Sequence, residues 1–314
     1  MLVEGRETDG RQSGRAGAPD ERRPESAATV CADVEVGLLA DRALRDRAAG
    51  QVVAVFERSF YAVIDGIWIC VGRIGIGSGP LHVVGDFRWP GLMVGDPVRV
   101  ADSILWIGAT PLANLAARSV WAPPAAPHWS TASLRRGLDT VDEVWGGDLT
   151  SEGLAVVGAG HAPGDASALV RAAMPGLAAL ELILAGSDDD ADRESGLASL
   201  VGLGPGLTPS GDDLIGGALI ALAALGRIEC RDALWEHCRA LLDGTNDISR
   251  IHLRAAALGY GAAALHAAIH ATMSGEAAGF RRALTALTAI GHTSGLDAFA
   301  GSLIVLRRAA LRER

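Results

Sequence analysis

The sequence predicts an α+β fold in which a small antiparallel β domain is followed by an all-helical domain. Short β-branched and aromatic runs fill residues 51–108, prolines cluster near residue 125, and later apolar residues recur with the helical period. The 314 residues therefore divide into four predicted parts: a disordered tail (1–27), a β-rich domain (28–118), a Pro-rich linker (119–128), and a helical domain carrying glycine-rich ligand loops (129–314).

The β-rich part contains six predicted strands, which are QVVAVF, FYAVI, IWICV, HVV, PVRV and SILWI. Asp65-Gly66 separates the second strand from the third and predicts a two-residue hairpin. Asp102-Ser103 predicts a second hairpin. Upstream of the strands, the sequence predicts a short helix around Val36–Ala49.

The helical part contains seven predicted helices. They are Ser130–Trp145, Asp165–Leu184, Asp212–Leu225, Cys230–Leu242, Ser249–Met273, Glu276–Ile290 and Ser294–Arg312. Pro175-Gly176 predicts a kink or a split in the second helix. Residues 214–225 are apolar on nearly every side, which is typical of a helix buried inside a domain.

Composition excludes several classes of function. Hydrophobic residues make up 49% of the chain, so the material for a core is ample, and the formal net charge of −9 disfavours nucleic-acid binding. Lysine is absent, which excludes a P-loop lysine and a Schiff-base lysine. The polar N-terminus predicts no signal peptide, and no membrane span is expected, so we expect a cytoplasmic protein. The four cysteines form no CxxC pair and are expected to be small buried residues.

The most informative segment is the glycine loop that leads into the buried helix, residues 202–213. Backbone N–H groups, hydroxyls and a helix N-terminus form an anion site in such loops. The predicted ligand-binding residues here are Gly204, Gly206, Thr208, Ser210 and Gly211. Capping alone is the alternative, either with Ser210 as N-cap and Asp213 at the third helical position, or with Thr208 as N-cap and Pro209 at the first.

Capping leaves the second acid of the pair Asp212 and Asp213 unexplained. Paired acids beside an anion site suggest either Mg²⁺ ligation or hydrogen bonding to an amino or carbamoyl group. We therefore treat both as candidate catalytic residues, with Mg²⁺ as the cofactor that this pair would admit. His266 and His270 have zinc-compatible spacing, but no third ligand is evident, so no metal site is predicted there.

Two further helix starts resemble the glycine loop in composition. His292 precedes one of them, where an imidazole can bind an anion or donate a proton, and it is the third candidate catalytic residue. Ser294 and Asp297 also fit a capping box, and an exposed loop position for His292 is the alternative. The predicted ligand-binding residues at the two starts are Thr245, Asn246, Ser249, Thr293 and Ser294.

The string GLGPGLTPSGDD, followed by TNDIS and then by GHTSGLDAFAG, resembles the AllH-type subunit family of oxamate carbamoyltransferase. The resemblance covers residues 200–305. It implies a role in allantoin or purine catabolism, where oxalurate and phosphate interconvert with oxamate and carbamoyl phosphate. It also implies an assembly with two other kinds of subunit and a small anionic substrate.

The resemblance therefore implies a carbamoyltransferase subunit that needs partner subunits, and the charge and hydropathy of the chain predict that it binds neither nucleic acid nor membrane. Two other interpretations stay open. The chain could be a non-catalytic assembly subunit, or a stand-alone Mg²⁺-dependent phosphate-ester enzyme that uses Asp212 and Asp213.

Overall fold

The β half and the helical half follow each other in the order that the sequence predicts. A computed structural model describes residues 30–89, 91–145, 152–159, 166–186 and 195–311. The predicted disordered tail, residues 1–27, lies outside the described residues. A nine-stranded sheet forms the N-terminal half and helices form the C-terminal half, which confirms the α+β class.

The sheet curls, so that Cys31, which precedes the first strand, pairs with Ala113 in the strand at the opposite edge of the sheet. Its strands are β1 (Glu35–Gly37), β2 (Ala49–Val55), β3 (Ser59–Ile64), β4 (Ile67–Arg73), β5 (His82–Gly85), β6 (Pro97–Ala101), β7 (Ile104–Ile107), β8 (Thr110–Asn114) and β9 (Ser119–Trp121), in the spatial order β8-β7-β6-β2-β3-β4-β5-β1-β9. The N–H of Cys31 donates to Leu112 O (3.1 Å), and the N–H of Asn114 donates to Cys31 O (2.8 Å). These bonds join the chain before β1 to β8.

Both predicted hairpins are present, and their turn residues have positive φ: 48° at Asp65, 80° at Gly66, 53° at Asp102 and 60° at Ser103. The antiparallel prediction holds for most strand pairs, but β4–β5 and β1–β9 are parallel. The predicted helix around Val36–Ala49 is wrong, because Glu35–Gly37 pairs with both β5 and β9 and only a 3-10 turn follows. Strand β9 takes up the first residues of the predicted linker.

The helices are α1 (Thr131–Trp145), α2 (Ala168–Ala185), α3 (Ser210–Ala224), α4 (Ile228–Ala240), α5 (Asp247–Ala257), α6 (Ala263–Ser274), α7 (Ala277–Leu287) and α8 (Ser294–Leu311). The single helix predicted over Ser249–Met273 is wrong. Gly259 has a φ of 81°, and the N–H of Tyr260 donates to Ala255 O (3.0 Å), which is a left-handed glycine termination. Helix α2 runs through Pro175 without splitting.

By length and composition alone, α2 could cross a membrane. The core helix of a globular domain passes the same test. Ser167 caps its N-terminus by accepting a hydrogen bond from the N–H of Val170 (3.2 Å). Val170, Leu180 and Ile183 are buried in the core of the helical half. One face of α2 is therefore packed against the core of the helical half.

Helices α3 and α8 form the centre of the helical half, and their backbones touch. A Cβ atom built on Gly217 would lie 1.6 Å from Ala298 O, and one on Gly301 would lie 1.9 Å from Leu214 O. Any larger residue at either position would therefore force the helices apart. This contact explains the glycine inside α8, which would otherwise disfavour the helix.

The halves of the molecule meet on the outer face of β3 and β4. Phe60 and Ile69 point into the core of the β half, whereas Tyr61 and its cross-strand neighbour Cys70 point outward. Tyr61 and Cys70 pack against Ile248 at the start of α5. The N–H of Ala263 also donates to Ser78 O (2.8 Å). Strands β3 and β4 are therefore covered on both faces, which explains their continuous apolar runs.

Candidate functional site

A cavity of about 510 Å³ lies between the outer face of β3–β4 and the helical half. Tyr61, Cys70 and His82 line it from the β half. The residues that line it at the starts of helices are Thr208, Asp212, Asp213, Ser249, His252 and Ser294. The N-termini of α3, α5 and α8 thus converge on one wall, and both predicted loops contribute to it.

Asp212 is a buried carboxylate whose oxygens are already bonded to three donors. Oδ1 accepts the N–H of Gly202 (2.9 Å). Oδ2 accepts the hydroxyls of Thr245 (2.5 Å) and Ser249 (2.6 Å). Because these donors come from the glycine loop and from the start of α5, Asp212 ties the two segments together. Its role in the described structure is to position the wall of the cavity.

Asp213 differs from its neighbour, because its Oδ2 is buried and has no hydrogen-bond partner. Burial raises the pKa of Asp213 well above its usual value, and the charges of Asp297 and Asp212 raise this pKa further. The hydroxyls of Ser294 and Thr208 act in the opposite direction. The result is a carboxyl group that favours its protonated form and faces a cavity, which is the arrangement that a proton donor needs.

The two predicted loops meet through the hydroxyls of Thr208 and Ser294, whose oxygens are 2.8 Å apart. Neither predicted capping register at α3 is correct. Pro209 occupies the N-cap position without a side-chain bond, and Ser210 begins the helix. Likewise, Ser294 is the first residue of α8. The Thr208 and Ser294 hydroxyls are therefore placed beside Asp213 instead of capping a helix.

Asp297, at the start of α8, is fully buried beneath this wall. Its Oδ1 accepts the N–H of Leu154 (2.5 Å). Burial raises its pKa, and the hydroxyls of Ser210 and Thr293 oppose the shift. The hydroxyls of Ser210 and Thr293 thus stabilise the carboxylate of this buried acid. Neither residue is among those that line the cavity.

On the opposite side, Tyr61 and His252 form a hydrogen bond between the halves, with Oη and Nε2 3.0 Å apart. Burial lowers the pKa of His252 to about 4, and the charge of His82 adds to the shift. Burial also raises the pKa of Tyr61 well above its usual value. Both side chains are therefore uncharged at neutral pH. The Nδ1 of His82 lies 2.8 Å from Gly77 O, and burial lowers its pKa as well.

Three predicted ligand-binding glycines, Gly204, Gly206 and Gly211, are not among the residues that line the cavity. Gly204 has a φ of 117°, and a Cβ on it would lie 2.8 Å from the N of Ser210. Gly211 packs against Leu200, whose carbonyl oxygen would be 2.0 Å from an added Cβ. Gly206 has a φ of 91° at the tip of the loop. These glycines shape and pack the loop, and their role in binding an anion stays a prediction.

Two further candidate residues, Asn246 and His292, lie outside the cavity lining. Asn246 caps α5, since its Oδ1 accepts the N–H of Ser249 (3.0 Å). His292 is exposed, and its Nε2 is hydrogen-bonded to a carboxylate oxygen of Glu152 on the surface. His292 is not among the residues that line the cavity. Its predicted catalytic role therefore lacks the geometry that Asp213 has.

Among the described residues, no group of three or more His, Cys, Asp or Glu side chains could hold a metal ion. The Nε2 of His266, one of the two histidines with zinc-compatible spacing, accepts the N–H of Gly261 (3.2 Å). The oxygens of Asp212 are bonded to protein donors. The described side chains therefore fit hydrogen bonding to a ligand better than they fit Mg²⁺ ligation.

Four residues that line the cavity belong to no motif in the sequence: Tyr61, Cys70, His82 and His252. The uninterrupted apolar runs of β3 and β4 could have indicated strands covered on both faces, and hence an outward Tyr61 at an interface. His252 follows Ile248 by one helical turn, so the two share a face of α5. The sequence gives no signal that this face meets Tyr61.

Residues 200–306 match a family model described as oxamate carbamoyltransferase subunit AllH. The match confirms the resemblance carried by the glycine loop and by the start of α8. It contains the helical wall of the cavity, including Asp213, His252 and Ser294, while the β half lies outside it. No solved structure is significantly similar to the chain.

Proposed function

We propose that the chain is a subunit of a carbamoyltransferase-type enzyme and that the cavity between its halves binds the carbamoyl-bearing substrate. The observation that carries the proposal is the Asp213 carboxyl beside Thr208 and Ser294, whose Oδ2 is buried without a hydrogen-bond partner, within the segment similar to the AllH family. The reaction we propose is the transfer of a carbamoyl group between oxalurate and phosphate, which gives oxamate and carbamoyl phosphate.

The chemistry of this transfer suits the cavity. A phosphate oxygen attacks the carbamoyl carbon of oxalurate, the C–N bond breaks, and the electron pair of that bond stays on the nitrogen of oxamate. That nitrogen must receive a proton as it leaves. Asp213 holds a proton because its pKa is raised, and it can donate that proton to the leaving nitrogen. In the reverse direction, the Asp213 carboxylate takes the proton back.

The substrate also carries a carboxylate, and Arg58 lines the same cavity. The Arg58 guanidinium donates to Gly75 O at the edge of the β half, and this bond holds the side chain there. Since a guanidinium pairs well with a carboxylate, Arg58 would orient the oxamate end of the substrate. The residues that the structure describes offer no complete set of groups for phosphate, so we expect the partner subunits to complete the site.

The test uses the full chain, first alone and then co-expressed with the two other subunits. Oxalurate should bind the isolated chain, and at about 100 times its dissociation constant it should stabilise the fold by about 2.7 kcal/mol. Carbamoyl phosphate formation from oxalurate and phosphate should need all the subunits. Asp213→Asn should reduce turnover by about 100-fold or more. Asp243→Asn is the matched control, because its carboxylate is fully exposed outside the cavity.

Each outcome favours one interpretation. Turnover by the isolated chain would show that it carries the whole active site. Turnover by the other subunits without this chain would assign it an assembly role. An Asp213→Asn complex as active as the wild type would remove the carboxyl from the chemistry. Activity on phosphate esters that depends on added Mg²⁺ would favour the phosphate-ester alternative.

A further inference from the structure

The hydrogen bond between Tyr61 and His252 is the contact across the cavity that the proposed chemistry leaves unused. It joins residues 191 positions apart, one from the sheet and one from α5. The two rings meet edge to face, with centroids 6.2 Å apart and an interplanar angle of 84°. Such a contact fixes the direction of the phenol as well as its position.

Tyr61 shares the cavity with Asp213. Both residues line it, Tyr61 from strand β3 and Asp213 from the start of α3. Burial alone already favours the neutral phenol. The cavity therefore holds two uncharged O–H groups that come from opposite walls. One neutral O–H group can donate to a substrate oxygen on which negative charge develops, while the other supplies a proton to the leaving nitrogen.

We propose that Tyr61 is a catalytic residue whose hydroxyl donates a hydrogen bond to the carbamoyl oxygen during transfer, and that His252 is the residue that positions it. This inference rests on the proposed function. In the proposed arrangement, the Nε2–H of His252 donates to the Tyr61 oxygen, which leaves the phenolic proton free to point into the cavity. The β half would then supply part of a site whose family-like part lies entirely in the helical half.

The proposed carbamoyl transfer conserves atoms and electrons. The phosphate oxygen forms a bond to the carbamoyl carbon, and the π electrons of the C=O bond move onto its oxygen, which accepts the hydrogen bond from Tyr61. When that pair re-forms the C=O bond, the C–N bond breaks and the oxamate nitrogen takes the proton of Asp213. Tyr61 keeps its own proton throughout, so no further acid, base or oxidant is needed.

The kinetic test is Tyr61→Phe in the assembled enzyme, which removes one hydroxyl and keeps the ring. We expect kcat to fall by about 100-fold, with the KM for oxalurate changed less than about 3-fold, because the bond is strongest in the transition state. His252→Leu should lower kcat in the same way, whereas His252→Gln keeps an N–H donor and should retain more activity than His252→Leu. Val63→Ala, on the same strand and outside the cavity, is the control.

A purely structural role predicts a different result. Tyr61→Phe would then lower the melting temperature while kcat per folded molecule stayed within about 3-fold of the wild type. That result would overturn the proposal. A loss of kcat that Val63→Ala reproduces would overturn it too, since it would reflect packing instead of the hydroxyl.

A second measurement covers the case in which Tyr61→Phe fails to assemble. The chain has only two tyrosines, so a ring-labelled sample gives two NMR signals, and a variant of the isolated chain assigns them. Saturating oxalurate should shift the Tyr61 signal. If oxalurate binds and that signal stays in place, the role of Tyr61 is wrong and the proposed function stands. If oxalurate does not bind the wild-type chain, the proposed function is contradicted and the role of Tyr61 falls with it.

Discussion

Replacing Asp213 with Asn should stabilise the fold at neutral pH while it removes the response to ligand. The folded Asp213 holds its proton to a pH well above 3.8, where a carboxyl of the unfolded chain releases it. Between these two values the folded state binds more protons, so stability is full below pH 3.8 and falls as the pH rises through the folded pKa. Each unit of pKa difference costs about 1.4 kcal/mol. Asn cannot ionise, so Asp213→Asn should be more stable than the wild type at neutral pH.

The neighbouring acid supplies a matched variant with the opposite sign. Asp212 accepts three hydrogen bonds as a carboxylate, and an amide in its place keeps only one acceptor oxygen. Hydrogen bonds to charged groups contribute about 1.5–3 kcal/mol each, so Asp212→Asn should cost about 3 kcal/mol. Adjacent substitutions of the same chemistry thus change stability in opposite directions.

The assay is urea denaturation of the wild type and both variants at pH values from about 4 to about 8. The advantage of Asp213→Asn should grow with pH and vanish near the lower end. If Asp213→Asn were less stable than the wild type at neutral pH, or its advantage were independent of pH, the carboxylate would be satisfied in the fold. Asp213 would then not hold a proton in the folded protein at neutral pH.

Two further predictions concern packing and buried imidazoles. Gly217→Ala should lower the free energy of unfolding by more than about 3 kcal/mol in denaturation experiments, because its Cβ would lie 1.6 Å from Ala298 O. Gly216→Ala in the same helix is the control. Its Cβ would lie 3.7 Å from the Cβ of Ala256, an ordinary contact, so this variant should be neutral or stabilising. Burial lowers the pKa of His266 to about 4, so the stability of the fold should decrease as the pH falls from 6.5 towards 4, by up to about 3 kcal/mol from this group. His266→Gln should flatten that dependence, and an NMR titration in which His266 titrates near 6.5 would contradict it.

Local rules explain which parts of the fold the sequence predicts. Asp65-Gly66 turns a hairpin because both residues tolerate positive φ, and that preference does not depend on the rest of the molecule. The break at Gly259 was missed because apolar spacing continues on both sides of it, and a single glycine is tolerated within many helices. Gly259 ends the helix in a left-handed conformation, and the N–H of Ala263 just beyond it donates to Ser78 O in the β half, which is a tertiary contact.

In the candidate site, too, the sequence predicts what local rules determine and does not predict what depends on tertiary contacts. The sequence predicts ligand-binding residues in both the glycine loop and the start of α8, and the Thr208–Ser294 hydrogen bond joins these two segments. The different roles of Asp212 and Asp213 could not be predicted, because the hydroxyls that bind Asp212 come from 33 and 37 residues away. His292 was chosen for its closeness in sequence to Ser294. At the start of a helix, however, neighbouring side chains point in different directions, and His292 points to the surface.

The backbone contact between α3 and α8 has a mechanical consequence. With no side chain at Gly217 or Gly301, nothing at this crossing can change rotamer to let one helix slide along the other. The helical wall of the cavity, where Thr208 and Ser294 meet, is therefore held rigidly. The opposite wall joins it through the side chains of Tyr61 and His252 and through one backbone hydrogen bond, from the N–H of Ala263 to Ser78 O, so few contacts must break when the two walls separate. Any opening that admits a ligand therefore takes the form of a hinge between the sheet and the helices.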